Sequence, residues 1–177
     1  MQIRQKIALE LERLQRKNLQ QLHPLNQLFW ESTLRCNVRC RHCGSDCKTQ
    51  SQTSDMPLKD FLKVLDELIP HVDPHKVMII VSGGEPLMRE DLAECGRSFY
   101  DRGFPWGMVT NGLFLTQEKL DLLLRSGLRS VTVSLDGFEE EHNWLRGHSK
   151  SFEKASNAIK MIANANVVWD VATCVNS

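Results

Sequence analysis

The sequence predicts an α/β fold in which parallel strands alternate with helices around one core. Two observations support this prediction. Short apolar runs recur along the chain, and segments with apolar residues at helical spacing separate them. The run "KVMIIV" is apolar without alternation, as expected for a strand that helices cover on both faces. One parallel sheet buried between helices accounts for both observations.

The predicted elements alternate after an N-terminal helix. Apolar residues at helical spacing predict that helix up to Leu22, where His23-Pro24 ends it, and we expect it to pack on the outside of the domain. Thr116 is predicted to cap one helix, which Gly127 terminates. The five predicted strands are "QLFWESTL", "KVMIIVSGGEP", "WGMVTNG", "RSVTVSLDG" and "VVWDVATCV", and the helices between them cover 57–69, 90–102, 116–125 and 150–163. The chain is therefore divided into an N-terminal helical extension, 1–27, and one α/β domain, 28–177.

Composition and charge argue against several classes of protein. Apolar residues make up 41% and charged residues 25% of the 177 residues, as in ordinary globular domains. The formal net charge is zero, so no overall field favours nucleic acid or a membrane surface. The sequence also lacks the alternating basic and aromatic residues typical of nucleic-acid binding, so neither partner is expected. The N-terminal segment is charged and rich in Gln, unlike an apolar signal segment, so the expected location is cytoplasmic. In that reducing compartment, clustered cysteines are metal ligands or redox groups more often than disulfides.

Four of the six cysteines fall in "CNVRCRHCGSDC", residues 36–47. Zinc usually takes two short pairs of ligands from separate chain segments, whereas this run has no downstream pair. A cubane iron–sulfur cluster is larger, so that three thiolates from one loop suffice for three of its irons and leave the fourth iron open. Three arginines accompany the thiols, and cations lower the pKa of a thiol and offset an anionic cluster; they are Arg35, Arg39 and Arg41.

Distinctive polar or glycine-containing stretches follow the first four predicted strands. They are "CNVRCRHC", "SGGEP", "TNG" and "SLDG". The carboxyl ends of parallel strands lie on one rim of an α/β fold, and that rim holds the site. We therefore expect these four stretches to converge, although about 100 residues of chain separate the first from the last.

Cys36, Cys40 and Cys43 have the spacing C-x3-C-x2-C, and with "GGEP", "TNG", "SLDG" and "HNWLRG" in this order the chain resembles the radical S-adenosylmethionine (radical SAM) superfamily. The resemblance covers roughly residues 28–177. The stretch "LRCNVRCRHCGSDC" is most similar to SPASM-type enzymes and their lipoprotein-associated relatives. It implies a partial (β/α)6 radical SAM barrel, an enzyme that binds a [4Fe-4S] cluster and S-adenosylmethionine, and cleavage of that cofactor to a 5′-deoxyadenosyl radical for hydrogen abstraction.

The resemblance also implies partners and residue roles. It implies a low-potential electron donor of the flavodoxin or ferredoxin type and an unidentified substrate, with peptides as the class suggested by the family. Cys36, Cys40 and Cys43 would be the cluster ligands. Around the cofactor, the resemblance implies that His42 packs on the adenine, and that the backbone at Gly84, with Glu85, accepts hydrogen bonds from the methionine ammonium. It also implies a rim position beside the cofactor for Thr110. Ser134 and Arg146 would contact the ribose and the carboxylate. Asp136 is expected only to cap its turn.

The remaining cysteines and the tryptophans have plainer predicted roles. Cys47 lies outside the three-cysteine motif and is predicted to be a packing residue. Cys95 and Cys174 are predicted core thiols, and Trp30, Trp106 and Trp169 are predicted to line the core or the barrel. An alternative of another class stays open: a non-catalytic scaffold domain that holds zinc with all four clustered cysteines, or a degenerate cluster.

The resemblance further predicts that the chain is incomplete at its C-terminal side. The family core has six strands, and only five are predicted before Ser177. An incomplete core is expected to bind a cluster, to turn over poorly and to expose an apolar edge strand.

Overall fold

A computed structural model describes residues 3–45 and 47–175 of the chain. Met1 and Gln2, which the predicted N-terminal helix includes, and residues 176–177 of the predicted α/β domain lie outside the described residues. Five strands form one sheet in the order of the chain, and every neighbouring pair is parallel. They are β1 (Gln27–Glu31), β2 (Met78–Ser82), β3 (Trp106–Thr110), β4 (Leu128–Ser134) and β5 (Val168–Ala172).

The helices lie between the strands as the apolar spacing predicts. They are α1 (Ile3–Leu22), α2 (Leu58–Leu68), α3 (Leu92–Asp101), α4 (Gln117–Arg125), α5 (Glu139–Arg146) and α6 (Ser151–Ala163), with short 3-10 turns at Ile69–His71, Pro74–Lys76 and Pro86–Met88. The predicted α/β class with five parallel strands is confirmed. Helix α5 was not predicted from the sequence. Its first turn nevertheless carries three glutamates, and Gly147 follows its last residue in the left-handed conformation at φ +64°. Both are ordinary signals of a helix.

The predicted ends of α4 are confirmed. The hydroxyl of Thr116 accepts a hydrogen bond from the Lys119 backbone N–H at 3.2 Å, which satisfies one of the unpaired donors of the first turn. Gly127 follows the helix at φ +93°, a conformation that a residue with a Cβ adopts only at a cost. The chain thereby leaves α4 directly into β4.

The core lies between the sheet and the helices. Trp30 of β1 stacks on Phe61 of α2 with ring centroids 4.3 Å apart, and Trp106 of β3 packs edge-to-face on Phe99 of α3. Both tryptophans are buried, as predicted. Cys95 is also buried, as predicted, and burial raises the pKa of its thiol to about 12.

Two core predictions near the C-terminal side are wrong. Trp169 of β5 is 43% exposed, because β5 is an edge strand of the described sheet and all five of its residues are exposed. Cys174 is also exposed, in the segment after β5. A residue pattern identifies a strand, but it does not say whether anything covers that strand.

The prediction that the N-terminal helix packs on the domain is also wrong. None of the residues of α1, Ile3–Leu22, is buried, and its apolar positions Ile3, Ile7, Leu11 and Leu14 are all more than half exposed. Helical periodicity predicts an apolar stripe but not the surface that covers it. Within residues 3–45 and 47–175, no helix is long and apolar enough to cross a bilayer.

Candidate functional site

The four strand-end stretches converge around one cavity, as the parallel topology predicts. Its volume is about 280 Å³. All the predicted site residues except Glu85 line it. The lining comprises Cys36, Val38, Cys40, His42, Cys43, Gly44, Cys47, Ser82, Gly83, Gly84, Val109, Thr110, Asn111, Ser134 and Arg146.

The cysteine loop is closed at its base by backbone and side-chain contacts. The Cys36 N–H donates to the Lys48 carbonyl at 2.8 Å, beside an isolated parallel bridge between Arg35 and Lys48. Arg35 and the Thr33 hydroxyl both donate to the Asp55 carboxylate at 2.6 Å. Burial alone would raise the pKa of Asp55, but these hydrogen bonds outweigh burial and lower it. The loop therefore begins and ends at fixed points, with its cysteines between them.

The two glycines after β2 let that strand end lie directly against the cysteine loop. The Gly84 N–H donates to the Thr33 carbonyl at 2.7 Å, and the Glu85 N–H donates to the Arg35 carbonyl at 2.9 Å. A Cβ at Gly84 would overlap the Arg35 carbonyl, and one at Gly83, which is also at φ +127°, would overlap that of Thr33. "GGEP" is therefore needed for packing in this protein as well as for any approach to a ligand.

Glu85 lies beneath the cavity and does not line it. Its carboxylate is fully buried and accepts from the Thr110 hydroxyl at 2.8 Å, from the Asn111 N–H at 2.8 Å and from the Leu87 N–H at 3.1 Å. Burial raises the pKa of this carboxyl, against the three hydrogen bonds, which lower it. Glu85 thus ties the "GGEP" turn to the end of β3, a role that differs from the predicted contact with the methionine ammonium.

Arg146 enters the cavity from the end of α5 and is held by a neighbour on the β4 loop. Its Nε donates to Asp136 Oδ2 at 2.6 Å, and its Nη1 lies 3.6 Å from Cys40 Sγ. Asp136 also accepts from the Cys174 N–H at 2.9 Å, which links it to the end of β5. Burial alone would raise the pKa of Asp136, but the hydrogen bonds from Cys174 and Arg146 lower it. Asp136 therefore orients Arg146, a larger part than the turn cap that was expected.

His142 supports this pair from below and was not singled out by the sequence. It is fully buried, and its Nδ1 accepts from the Asp136 backbone N–H at 3.0 Å. The ring proton then lies on Nε2, which is 3.0 Å from Ser151 Oγ. Burial lowers the pKa of His142, so the neutral ring is favoured. The "HNWLRG" stretch thus carries one cavity residue, Arg146, and a second residue, His142, that binds the backbone of the Asp136 that orients Arg146.

Asn111 belongs to the predicted rim stretch "TNG", but no individual role was predicted for it. It is buried, lines the cavity and sits between "TNG" and the cysteine loop, with Nδ2 2.8 Å from Asn37 Oδ1 and 3.9 Å from Cys36 Sγ. Asparagine after a strand is common in turns, so its letter alone gave no functional signal. Only the approach of the cysteine loop shows what the amide contacts.

The cavity thiols differ in burial and in pKa. Cys36 and Cys47 are buried, Cys40 is half-buried and Cys43 is exposed. Burial raises the pKa of Cys36; it also raises that of Cys40, against the opposing effect of Arg146, and it raises that of Cys47 to about 11. Among residues 3–45 and 47–175, no three His, Cys, Asp or Glu side chains are arranged to hold a single metal ion.

The donors around the cavity fit an anionic iron–sulfur cluster. Three thiols on one loop are soft ligands of the kind that bind such clusters, and the guanidinium of Arg146 brings a positive charge to one of them. The Nδ2 of Asn37, next to Cys36 in the chain, is a buried donor with no hydrogen-bond partner among the described residues. His42, exposed on the same loop, and Ser134, at the end of β4, flank the thiols.

This combination of a parallel sheet, a three-cysteine loop and strand-end motifs around one cavity defines a radical SAM core. The family model described as "Radical SAM superfamily" matches residues 30–176, and the chain belongs to that superfamily. The family implies S-adenosylmethionine and an iron–sulfur cluster as cofactors, and it makes the chain part of an enzyme.

Among curated proteins, the chain is similar to enzymes named for heme biosynthesis. It is 31% identical over 150 residues to an AdoMet-dependent heme synthase from Methanosarcina barkeri, covering 84% of this chain and 42% of that protein. It is 33% identical over 128 residues to the Fe-coproporphyrin III synthase of the same organism, covering 72% of this chain and 31% of that protein. The chain therefore spans less than half the length of these curated relatives.

Among solved structures, the same fold occurs in proteins of low sequence identity. Streptococcus suis SuiB bound to the precursor peptide SuiA superposes with a TM-score of 0.69 at 15% identity, over 94% of this chain and 37% of that one. The methylornithine synthase PylB gives a TM-score of 0.66 at 17% identity, over 84% of this chain and 44% of that one. These likenesses confirm the predicted partial barrel.

Proposed function

We propose that this chain is the core of a radical SAM enzyme in which Cys36, Cys40 and Cys43 hold a [4Fe-4S] cluster with one iron open to S-adenosylmethionine. The observation that supports it best is that all three thiols line one cavity together with the ends of β2, β3 and β4. When bound and reduced, these cofactors supply a 5′-deoxyadenosyl radical that takes a hydrogen atom from the substrate.

The residues of the chain bind and orient the cofactor in this proposal. The guanidinium of Arg146, whose Nε is bound by Asp136, would take the cofactor's carboxylate by a charge-assisted hydrogen bond. Ser134 lines the same cavity and would contact the ribose, and the His42 ring offers a flat surface for adenine. Thr110 lines the cavity, and its hydroxyl is held by the Glu85 carboxylate. The backbone at Gly84 remains the proposed site for the methionine ammonium.

The electron donor and location are further parts of the proposal. Cys43 is exposed at the mouth of the cavity, so an external low-potential donor of the flavodoxin or ferredoxin type can approach the cluster there. A reducing, cytoplasmic setting suits six free cysteines and an oxygen-sensitive cluster.

Two substrate classes follow from different comparisons. The heme synthase and Fe-coproporphyrin III synthase names of the curated relatives favour a porphyrin-type substrate. The peptide class predicted from the sequence is supported only by the fold shared with SuiB, which was solved with a bound precursor peptide. Incubating the reduced protein with each class and measuring 5′-deoxyadenosine above the substrate-free level distinguishes them.

The proposed function is tested first by anaerobic reconstitution with iron and sulfide. The expected product is a brown protein with about four irons, as a [4Fe-4S] cluster requires. On reduction it should give an EPR signal that changes when S-adenosylmethionine is added, because the cofactor binds the open iron. A colourless protein after reconstitution contradicts the proposal.

A zinc-holding scaffold is the second candidate, and one observation favours it. Cys47, outside the family motif, lines the same cavity as the other three thiols, so a zinc site there would have four thiols to draw on. The four would have to move together to bind one ion, since no three of them are arranged around one point among the described residues. Purification from zinc-supplemented medium with metal analysis tests it. One tightly held zinc per chain that requires Cys47, together with no uptake of iron, would favour the scaffold over the enzyme.

A further inference from the structure

The side-chain amide of Asn111 is held in one orientation against the cysteine loop. Its Oδ1 accepts from the Leu113 N–H at 2.9 Å, and its Nδ2 donates to Asn37 Oδ1 at 2.8 Å. A flipped amide would place an NH₂ group against the Leu113 N–H and an oxygen against the Asn37 oxygen, losing both bonds. The second hydrogen of Nδ2 is therefore the one available to Cys36 Sγ, 3.9 Å away.

The backbone beneath Asn111 is fixed as well. Its N–H donates at 2.8 Å to the fully buried carboxylate of Glu85, which also accepts from Thr110, the residue before it. The cysteine loop approaches from the other side, where Cys36 is tied to Lys48 through its backbone N–H. The donor and the sulfur are thus carried by two anchored segments, and both segments are hydrogen-bonded to Glu85, at Asn111 and at Arg35.

An N–H donor beside a ligand sulfur favours the more negatively charged state of an iron–sulfur cluster. Reduction adds one electron from the external donor, increases the negative charge shared by the sulfurs and moves no atoms between groups. Hydrogen bonds to cluster sulfurs are one of the means by which proteins set the reduction potential. An acceptor or a negative charge in the same place has the opposite effect.

We propose that Asn111 is a positioning residue that raises the reduction potential of the cluster by donating a hydrogen bond from Nδ2 to the sulfur of Cys36. The inference rests on the proposed function, since it requires the cluster on Cys36. This role accounts for an asparagine at this position of the rim, because each hydrogen-bonding group of the Asn111 amide has a partner. It also makes "TNG" part of the electron-accepting side of the site.

The test is a redox titration of the reconstituted protein, followed by EPR, for the parent and for Asn111→Asp. The aspartate keeps an oxygen for the Leu113 N–H but replaces the donor with a negative charge. We expect equal iron content and a lower midpoint potential, with about tenfold less reduced cluster at a fixed potential, or ~59 mV for one electron. Asn143→Asp is the matched control, because the side-chain amide of Asn143 hydrogen-bonds to the backbone of Ser149 and Phe152 and contacts no cysteine. The midpoint potential of this variant should equal that of the parent.

A second variant, Asn111→Ala, removes the donor without adding charge and should lower the midpoint potential by less than Asn111→Asp. Midpoints equal to the parent's in either variant at full iron content overturn the proposal, and loss of iron from both variants overturns it in favour of a purely structural role. A parent protein that takes up no iron overturns the proposed function itself, and the inference with it. A parent cluster with unshifted variants overturns only the inference.

Discussion

At the scale of single residues, the four clustered cysteines have different surroundings. Cys36 and Cys40 lie near N–H donors of Asn111 and Arg146, while Cys43 is exposed at the mouth of the cavity. Cys47 is buried beside Cys36 and packs with apolar neighbours. Cys47 therefore both lines the cavity and packs in the cysteine loop. Mutation distinguishes a packing residue from a ligand.

We expect Cys36→Ala, Cys40→Ala and Cys43→Ala each to abolish stable iron uptake, whereas Cys47→Ala retains it. Three thiolates suffice when one iron is left open for the cofactor. Iron and sulfide analysis after anaerobic reconstitution measures the result. Failure of Cys47→Ala to bind iron would support the four-thiolate site instead.

We expect Arg146→Ala to weaken S-adenosylmethionine binding about ten- to a hundred-fold, because the loss of a charge-assisted hydrogen bond costs about 1.5–3 kcal/mol. Iron content should stay at the parent level. Titration of the reduced cluster's EPR signal with the cofactor measures it. Arg41→Ala is the matched control, since the Arg41 guanidinium carbon lies 4.7 Å from the centroid of the Trp144 ring and Arg41 does not line the cavity. Identical titration midpoints for parent and Arg146→Ala would remove Arg146 from the binding site.

We expect His142 to make the protein less stable as the pH falls. Burial lowers the pKa of His142 in the folded state, so below its ordinary value of about 6.5 the unfolded chain takes up a proton that the folded chain resists. Its contribution is present above that pH and decreases below it, by at most about 1.4 kcal/mol per pH unit. Urea unfolding from about pH 7.5 to 5 should show a smaller pH dependence for His142→Gln than for the parent. Parallel pH curves would contradict this.

At the scale of elements, the sequence predicted the strands and most helices but not what covers them. The apolar runs and the Thr116 cap predicted β1–β5 and α4 closely, because local periodicity and capping are encoded locally. The outward faces of α1 and β5 could not be predicted, since burial depends on distant partners. The same limit applies to the site. The motifs that reach the site were found. The particular roles of Asn111 in "TNG" and His142 in "HNWLRG" were missed, because they arise from contacts across the fold.

The double glycine is an element-scale constraint that we expect a single methyl group to break. A Cβ at Gly84 would overlap the Arg35 carbonyl and lie 3.1 Å from Cys36 Cβ, whereas a Cβ at Gly44, in the cysteine loop, would meet nothing within 4 Å. Gly84→Ala should therefore lower the free energy of unfolding by about 1–3 kcal/mol, the usual cost of overpacking. It should also reduce iron uptake, whereas Gly44→Ala should have little effect on either. Urea unfolding and iron analysis measure both, and equal stabilities for the two variants would show that the strand end is not so tightly packed.

At the scale of the whole molecule, the sheet has an open edge at β5. Among residues 3–45 and 47–175, cross-strand pairing joins β5 to β4 only. All five residues of β5 are exposed, although three of them are the apolar Val168, Trp169 and Val171. Unpaired backbone groups beside exposed apolar side chains favour association with another chain or segment. The cavity lies at the carboxyl rim of the same sheet and includes Ser134 at the end of β4, the strand that pairs with β5.

We expect this 177-residue chain to associate in solution through that edge and to cleave S-adenosylmethionine slowly by itself. A lysine in place of an exposed apolar residue should oppose association, because a charge on an edge strand must lose its hydration when another chain pairs there. Light scattering should give a mass above 20.3 kDa for the parent and a lower mass for Val171→Lys. Leu122→Lys, an exposed apolar residue of α4 away from the edge, is the control and should leave the mass unchanged. A parent protein that is monomeric and forms 5′-deoxyadenosine in many turnovers would show that the five-stranded sheet needs no covering at β5.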